Sequence, residues 1–284
     1  MGLTIHFSFR APPETDSETA LKYVDRLHGF CEDRPFAEVS PCRHFRGARE
    51  CDFECTDKND PCRWMKIQAR EYIRRKEILW HPDPQDLQWG HHAGEQSEVH
   101  YDVKPVEIVG FSAWPGEGCE SLEIVLARYP ETMTWFDRRH SRKPRTRTIR
   151  TYLGGWRWGA FCKTQYASNH GLTHFLRCHL LVVAVLDQAK QLGILHRVND
   201  EGGYWKRRRL DVLTRELEGY NVMVGAFAKL LKEAAPEGLT PESEIENHPD
   251  YEDFTPENLA RDFPEMGAAV AKTARLLRGK KLID

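Results

Sequence analysis

Hydrophobic periodicity shifts from mainly strand-like to helical along this 284-residue chain, near residue 168, and that shift constrains the fold more than any other feature. Before it, apolar residues mostly alternate or fall in short β-branched blocks; after it they recur at three- and four-residue steps. Residues 3–10 show the first pattern. Leu3, Ile5, Phe7 and Phe9 alternate with Thr4, His6, Ser8 and Arg10, as a half-buried strand requires. Pro12-Pro13 stops the strand, and Asp16 or Ser17 can cap a helix whose Leu21, Val24, Leu27 and Cys31 share one stripe. Residues 103–113 and 122–129 read as neighbouring strands, the second apolar on both faces and hence central. Residues 146–153 and 156–161 follow as further strands.

Beyond residue 168, residues 172–191 form a mostly apolar helix ended by Gly193. From Leu210, the positions Leu213, Leu217, Tyr220, Val224, Phe227 and Leu231 make one helical seam, which Gly219 and Gly225 weaken as an isolated coiled coil. An acidic linker covers 236–253, and Thr255-Pro256-Glu257 opens the last helix. The expected class is α+β: an antiparallel or mixed sheet over residues 1–165, packed against an α-helical region over 166–284. A Cys- and His-rich insertion at 40–100 interrupts the sheet, with a helix expected near 61–75 and loops at 82–84 and 90–94. No apolar run approaches the roughly 18 residues needed to cross a bilayer. The first residues show no basic, apolar and small-residue leader pattern. The expectation is a cytoplasmic protein without a membrane partner.

Net charge is −2, which conceals a strong asymmetry. Residues 138–186 carry ten Lys or Arg and no acid, whereas residues 233–265 carry eleven acids and one base, Arg261. The basic centre predicts an anionic partner, a nucleotide or nucleic acid.

Chemistry-bearing residues cluster in three places. Cys42, Cys51, Cys55 and Cys62, with His44 beside them, are four thiols that could close a zinc site, although their spacing lacks the paired C-x2-C form. His170 and His174 lie four apart, with Cys178 one turn on. They share the two histidines of the H-E-x-x-H pattern but lack its glutamate. Residues 153–179 interleave aromatics with cations: Trp156, Arg157, Trp158, Lys163, Gln165, Tyr166 and Arg177 suit base stacking and phosphate neutralisation. The loop 114–120 supplies Glu117, Cys119 and Glu120 for proton transfer or nucleophilic attack, with Cys162 and His179 as further candidates. Asp200 or Glu201 could join the same pocket, or cap the turn before Trp205. P-loop, dinucleotide-binding and nucleophile-elbow signatures are absent.

Together these residues predict an enzyme that hydrolyses a phosphate-bearing substrate where 114–120 meets 153–179. The alternatives are a non-catalytic nucleic-acid-binding protein using the basic 138–177 segment, and an interaction or regulatory module. The last would use the acidic C-terminal region, toward a basic partner or folded back over the basic centre.

Overall fold

A computed structural model describes residues 3–235 and 241–279; Met1, Gly2, residues 236–240 of the acidic linker and 280–284 lie outside the described residues. In chain order the elements are β1 (Thr4–Arg10), α1 (Ser17–Glu32), β2 (Glu38–Val39), β3 (Arg43–Arg46), α2 (Arg63–Gln68), β4 (Glu71–Ile78), α3 (Pro84–Gln88) and β5 (Gln96–Val103). Then come β6 (Glu107–Trp114), β7 (Leu122–Tyr129), β8 (Thr132–Asp137), β9 (Arg145–Arg150), β10 (Gly155–Lys163), α4 (Leu172–Gln191) and β11 (Leu195–Asp200). The chain continues through α5 (Tyr204–Arg207), α6 (Leu210–Ala234), α7 (Pro256–Asp262) and α8 (Pro264–Gly279). The class is α+β, with antiparallel sheets mainly in the N-terminal half and helices mainly in the C-terminal half.

The main sheet runs β11-β1-β10-β7-β6-β2, with β3 also on β6. Every pairing within it is antiparallel. Ile5, Phe7 and Phe9 point into a core shared with Val24 and Leu27 of α1 and Val182, Val185 and Leu186 of α4. Asp16 is the N-cap of α1 and accepts from the Thr19 amide, relieving one orphan donor. α4 is long and apolar enough by composition to cross a bilayer, but in this fold half of it is buried against protein. Glu107 at the start of β6, 2% exposed, ties this layer together. Its carboxylate accepts from Ser17 Oγ at 2.7 Å, His44 Nε2 at 2.7 Å and Arg128 Nη2 at 2.9 Å. Burial alone would raise this carboxyl; the bonds from Ser17, His44 and Arg128 outweigh it and hold the group below its ordinary value.

The opposite face is covered only in part. Cys51, Met65 and Ala69 from the insertion, and Val103 just after it, join the core, and Tyr129 Oη donates to Ala69 O at 2.7 Å. Hairpins β4/β5 and β8/β9 stack on each other through Tyr101 against Trp135, ring centroids 5.2 Å apart, and through Arg147. Over β11, β1 and β10 the outer face stays open.

Several boundaries differ from expectation. The helix foreseen near 61–75 is only α2, because Tyr72, Arg74, Lys76 and Ile78 alternate outward with period 2 and form β4. A strand foreseen over 103–113 is divided at Lys104-Pro105 into the end of β5 and all of β6. Pro84–Gln88 is a short helix between the two expected loops, taking in only Pro84 of the first and set by a capping box on Asp83. The largest difference is β11, which returns from the helical half to pair with β1 as an edge strand. The boundary at residue 165 therefore cuts through one sheet. Gly219 and Gly225 have a packing reason: a Cβ there would sit 2.9 Å from Phe263 and 2.5 Å from Phe254. The described acidic residues pack on α6 and on the turn at 165–170, as when Lys232 pairs with Glu246 at 2.5 Å and Asn169 Nδ2 reaches Glu244 O at 3.0 Å.

Candidate functional site

The two segments singled out by sequence do meet. Gly118 has φ +74°, and a Cβ on it would lie 2.3 Å from the Tyr166 carbonyl carbon and oxygen. The loop 115–119 therefore seats directly on the turn after β10 and on the first turns of α4. Gly116 rests on α4 in the same way: its Cβ would be 2.8 Å from Arg177 Nη2 and 3.2 Å from Cys178 Sγ.

Under this loop lies a thiol centre. Cys178, fully buried, has its Sγ 3.6 Å from His174 Nε2 and 3.9 Å from Arg177 Nη2. His174 Nε2 also donates to Glu117 O at 2.9 Å, while Nδ1 lies 3.5 Å from Arg177 Nη2, which assigns the Nε2–H tautomer. As a thiol, Cys178 donates to Pro115 O at 3.5 Å; as a thiolate it accepts from Cys119. That bond, with His174 and Arg177, outweighs burial and holds the Cys178 thiol below its ordinary value. The same bond, with burial, pushes Cys119 upward.

The remaining proton-transfer candidates lie around it, each held by other partners. Cys162 is buried with Sγ 3.2 Å from Glu120 O, and burial pushes its thiol up. The Glu120 side chain accepts from the Lys163 amide at 3.0 Å. Glu117 faces His170 at 3.5 Å. His179 is sealed, its Nδ1 3.0 Å from Thr164 Oγ1 and its Nε2 3.6 Å from Asp200 Oδ1. Asp200 in turn accepts from the amides of Gly202 and Trp205, the capping role. Each of these groups is thus held by a neighbour within the fold.

Nor do the substrate residues gather as expected. Trp156 and Trp158 are 1% and 4% exposed, so their rings fill the core and offer no face for a base. Gln165, fully buried, brackets the Leu3 amide and Asn221. Tyr166 lies half-buried under Lys163, whose Nζ is 4.1 Å from its ring centroid. Arg177 is held to the carbonyls of Pro35 and Pro115. The four cysteines of the insertion are dispersed: Cys51 buried against Phe45 O, Cys55 exposed, Cys42 and Cys62 between. Burial raises Cys42 to about 11 and Cys51 to about 12. Among the described residues no group of three or more His, Cys, Asp or Glu is placed to hold a metal ion.

Arg157 and Lys163 instead belong to the open sheet face, with residues that sequence reasoning did not assign. Register pairs Phe161 with His6 and His6 with Asn199; the next row is Gly159, Ser8 and Arg197; the third is Arg157 and Arg10. Side chains directly paired across antiparallel strands share a face. Phe161 is 53% exposed, and its ring lies 5.8 Å from that of His6. Arg10 and Arg197 are exposed and Arg157 half-exposed. None of the three guanidinium groups is hydrogen-bonded or ion-paired among the described residues. The alternation in residues 3–10 already turned His6 and Arg10 outward.

The 138–150 strip is different. Arg147 is paired with Glu77 at 2.6 Å and Asp137 at 2.7 Å, and Arg139 with Asp83 and Asp86. Arg138, Arg142 and Arg150 lie over the rings of Phe136, Trp80 and Tyr152. Comparison with protein-family models, curated proteins and solved structures finds no match to this chain.

Proposed function

We propose that the protein binds single-stranded nucleic acid across the open face of β11, β1 and β10. The observation that carries this reading is an exposed Phe161 beside His6 on a face with three arginines unpaired among the described residues. An exposed ring in mid-strand has no packing reason, but it gives any base a stacking surface worth about 1–3 kcal/mol. Gly159 and Ser8 leave a shallow trough between the aromatic row and the Arg10–Arg157 row. Same-face residues on a strand are about 7 Å apart, so a base on Phe161 leaves its flanking phosphates within reach of arginine. A platform of this size stacks about two or three bases.

In this reading the protein acts by holding a strand, and the thiol centre takes no part. The test is fluorescence anisotropy with labelled ten-nucleotide RNA and DNA single strands and the matching duplex. Single strands of one or both kinds should bind more tightly than duplex. Neutralising four cations, Arg10, Arg157, Lys163 and Arg197, gives a log–log salt slope of about −3. No binding of either single strand at low salt, or tighter binding of duplex, overturns the proposal.

A further inference from the structure

We propose that Cys178 and Cys119 form a reactive dithiol that reduces small hydroperoxides, with Cys178 attacking and Cys119 resolving. The geometry begins with position. Cys178 sits on α4 one turn beyond His174, so both side chains face the loop 115–119. Arg177 reaches the same sulfur from the neighbouring position, its Nη2 3.9 Å away. Cys119 packs against the small cluster that contains Cys178, Ala167 and Phe175, so both sulfurs lie in one apolar nook under one loop.

Of eight cysteines, all reduced, Cys178 alone combines a histidine N–H, a guanidinium and a second thiol around its sulfur. Each favours the thiolate, the nucleophilic form. By contrast Cys31, Cys42 and Cys51 are raised by burial to about 12, 11 and 12, and burial also raises Cys162. The cover over Cys178 is thin. Gly116 contributes no side chain, Arg177 beside it is exposed, and Cys119 is half-buried. A molecule the size of hydrogen peroxide needs only a small displacement of this loop to reach the sulfur.

The Cys178 thiolate attacks the terminal oxygen of R–O–O–H; an S–O bond forms and the O–O bond breaks. The alkoxide, which departs beside Arg177, takes a proton from water and leaves as R–OH, and Cys178 becomes a sulfenic acid. The Cys119 sulfur then attacks the Cys178 sulfur, the S–OH bond breaks, and hydroxide leaves with the Cys119 proton as water. Two thiols are oxidised to one disulfide while one peroxide is reduced; an external dithiol reverses the step.

The experiment treats the full chain with one equivalent of hydrogen peroxide at pH 7 and maps peptides by mass spectrometry without reduction. The expected product is a Cys119–Cys178 crosslink that dithiothreitol reverses, formed about tenfold faster than any oxidation of the exposed Cys55. In Cys119→Ser, oxidation stops at a Cys178 sulfenic acid that dimedone traps. In Cys178→Ser, Cys119 stays reduced. Site-resolved alkylation of the untreated protein adds a readout without oxidant: Cys178 should label with a midpoint below the ordinary thiol range, and Cys162 above it. The proposal is overturned if peroxide leaves both residues reduced while Cys55 oxidises, or if Cys178→Ser oxidises at Cys119 as readily as the parent. The wild-type map needs no variant, so misfolding of a mutant does not obscure the answer.

Discussion

The hairpin β8/β9 and the open face of β11, β1 and β10 are both rich in arginine, and they use it in opposite ways. In residues 138–150, five of seven basic side chains are engaged: Arg139 and Arg147 by acids, Arg138, Arg142 and Arg150 by rings. The acids come mostly from the insertion, through Glu77, Asp83 and Asp86. On the sheet face, Arg10, Arg157 and Arg197 come from three strands and meet no carboxylate among the described residues. The difference teaches that charge counted along a chain does not locate a binding surface. Pairing in three dimensions decides which cations are left for a partner.

Charge reversal separates the two regions most sharply. Arg10→Glu, Arg157→Glu and Arg197→Glu together should weaken single-strand binding more than about 100-fold, since three favourable phosphate contacts become repulsive. Arg147→Ala should instead lower stability by about 2–3 kcal/mol in urea unfolding, because it strands the buried Asp137, and should leave affinity nearly unchanged. If Arg147→Ala removes binding without destabilising the fold, the assignments of the two regions must be exchanged.

Asp137 also gives the hairpin a pH signature. Burial would raise this carboxyl, but bonds from Ser141 and Arg147 outweigh it and hold the group down at about 2. Its stabilisation is therefore present above the ordinary value of 3.8 and is lost as pH falls through about 2. Asp137→Asn should remove that acid-side decline from a plot of unfolding free energy against pH.

Smaller effects refine the two halves of the picture. Gly118→Ala should cost about 2 kcal/mol by thermal unfolding, because it forces a Cβ into the Tyr166 carbonyl at positive φ. Phe161→Ala should weaken single-strand binding about tenfold, consistent with the loss of one stacking surface, and Phe161→Tyr should retain it. Equal affinity for Phe161→Ala and wild type would leave the arginines as a merely electrostatic surface.

Local patterns in the chain were informative, and long-range register was not. Alternation in residues 3–10 placed Ile5, Phe7 and Phe9 inside and His6 and Arg10 outside, as found. The helix 172–191 is visible because its apolar length has one reading, and α4 has those bounds. The meeting of 114–120 with the turn after β10 was legible too, from glycines and complementary chemistry. Which side chains of that junction touch was not: Cys178 carries the contacts expected of Cys119 or Cys162. Trp156 and Trp158 misled because interleaved aromatics and cations describe a stacking platform and a core strand equally well. The large indoles went inward to the core, leaving Phe161 outside. That β11 would return to flank β1, and bring Arg197 beside Ser8, depends on pairing across most of the chain and leaves no local trace.

Photo-crosslinking tests the location of binding most directly. A labelled single strand is irradiated on the wild-type protein and the attached residues are read by mass spectrometry. Binding across the open sheet face predicts adducts on Phe161 and His6, within the β10 and β1 peptides, and their loss at high salt. Adducts confined to residues 138–150, with β1 and β10 unmodified, would contradict it.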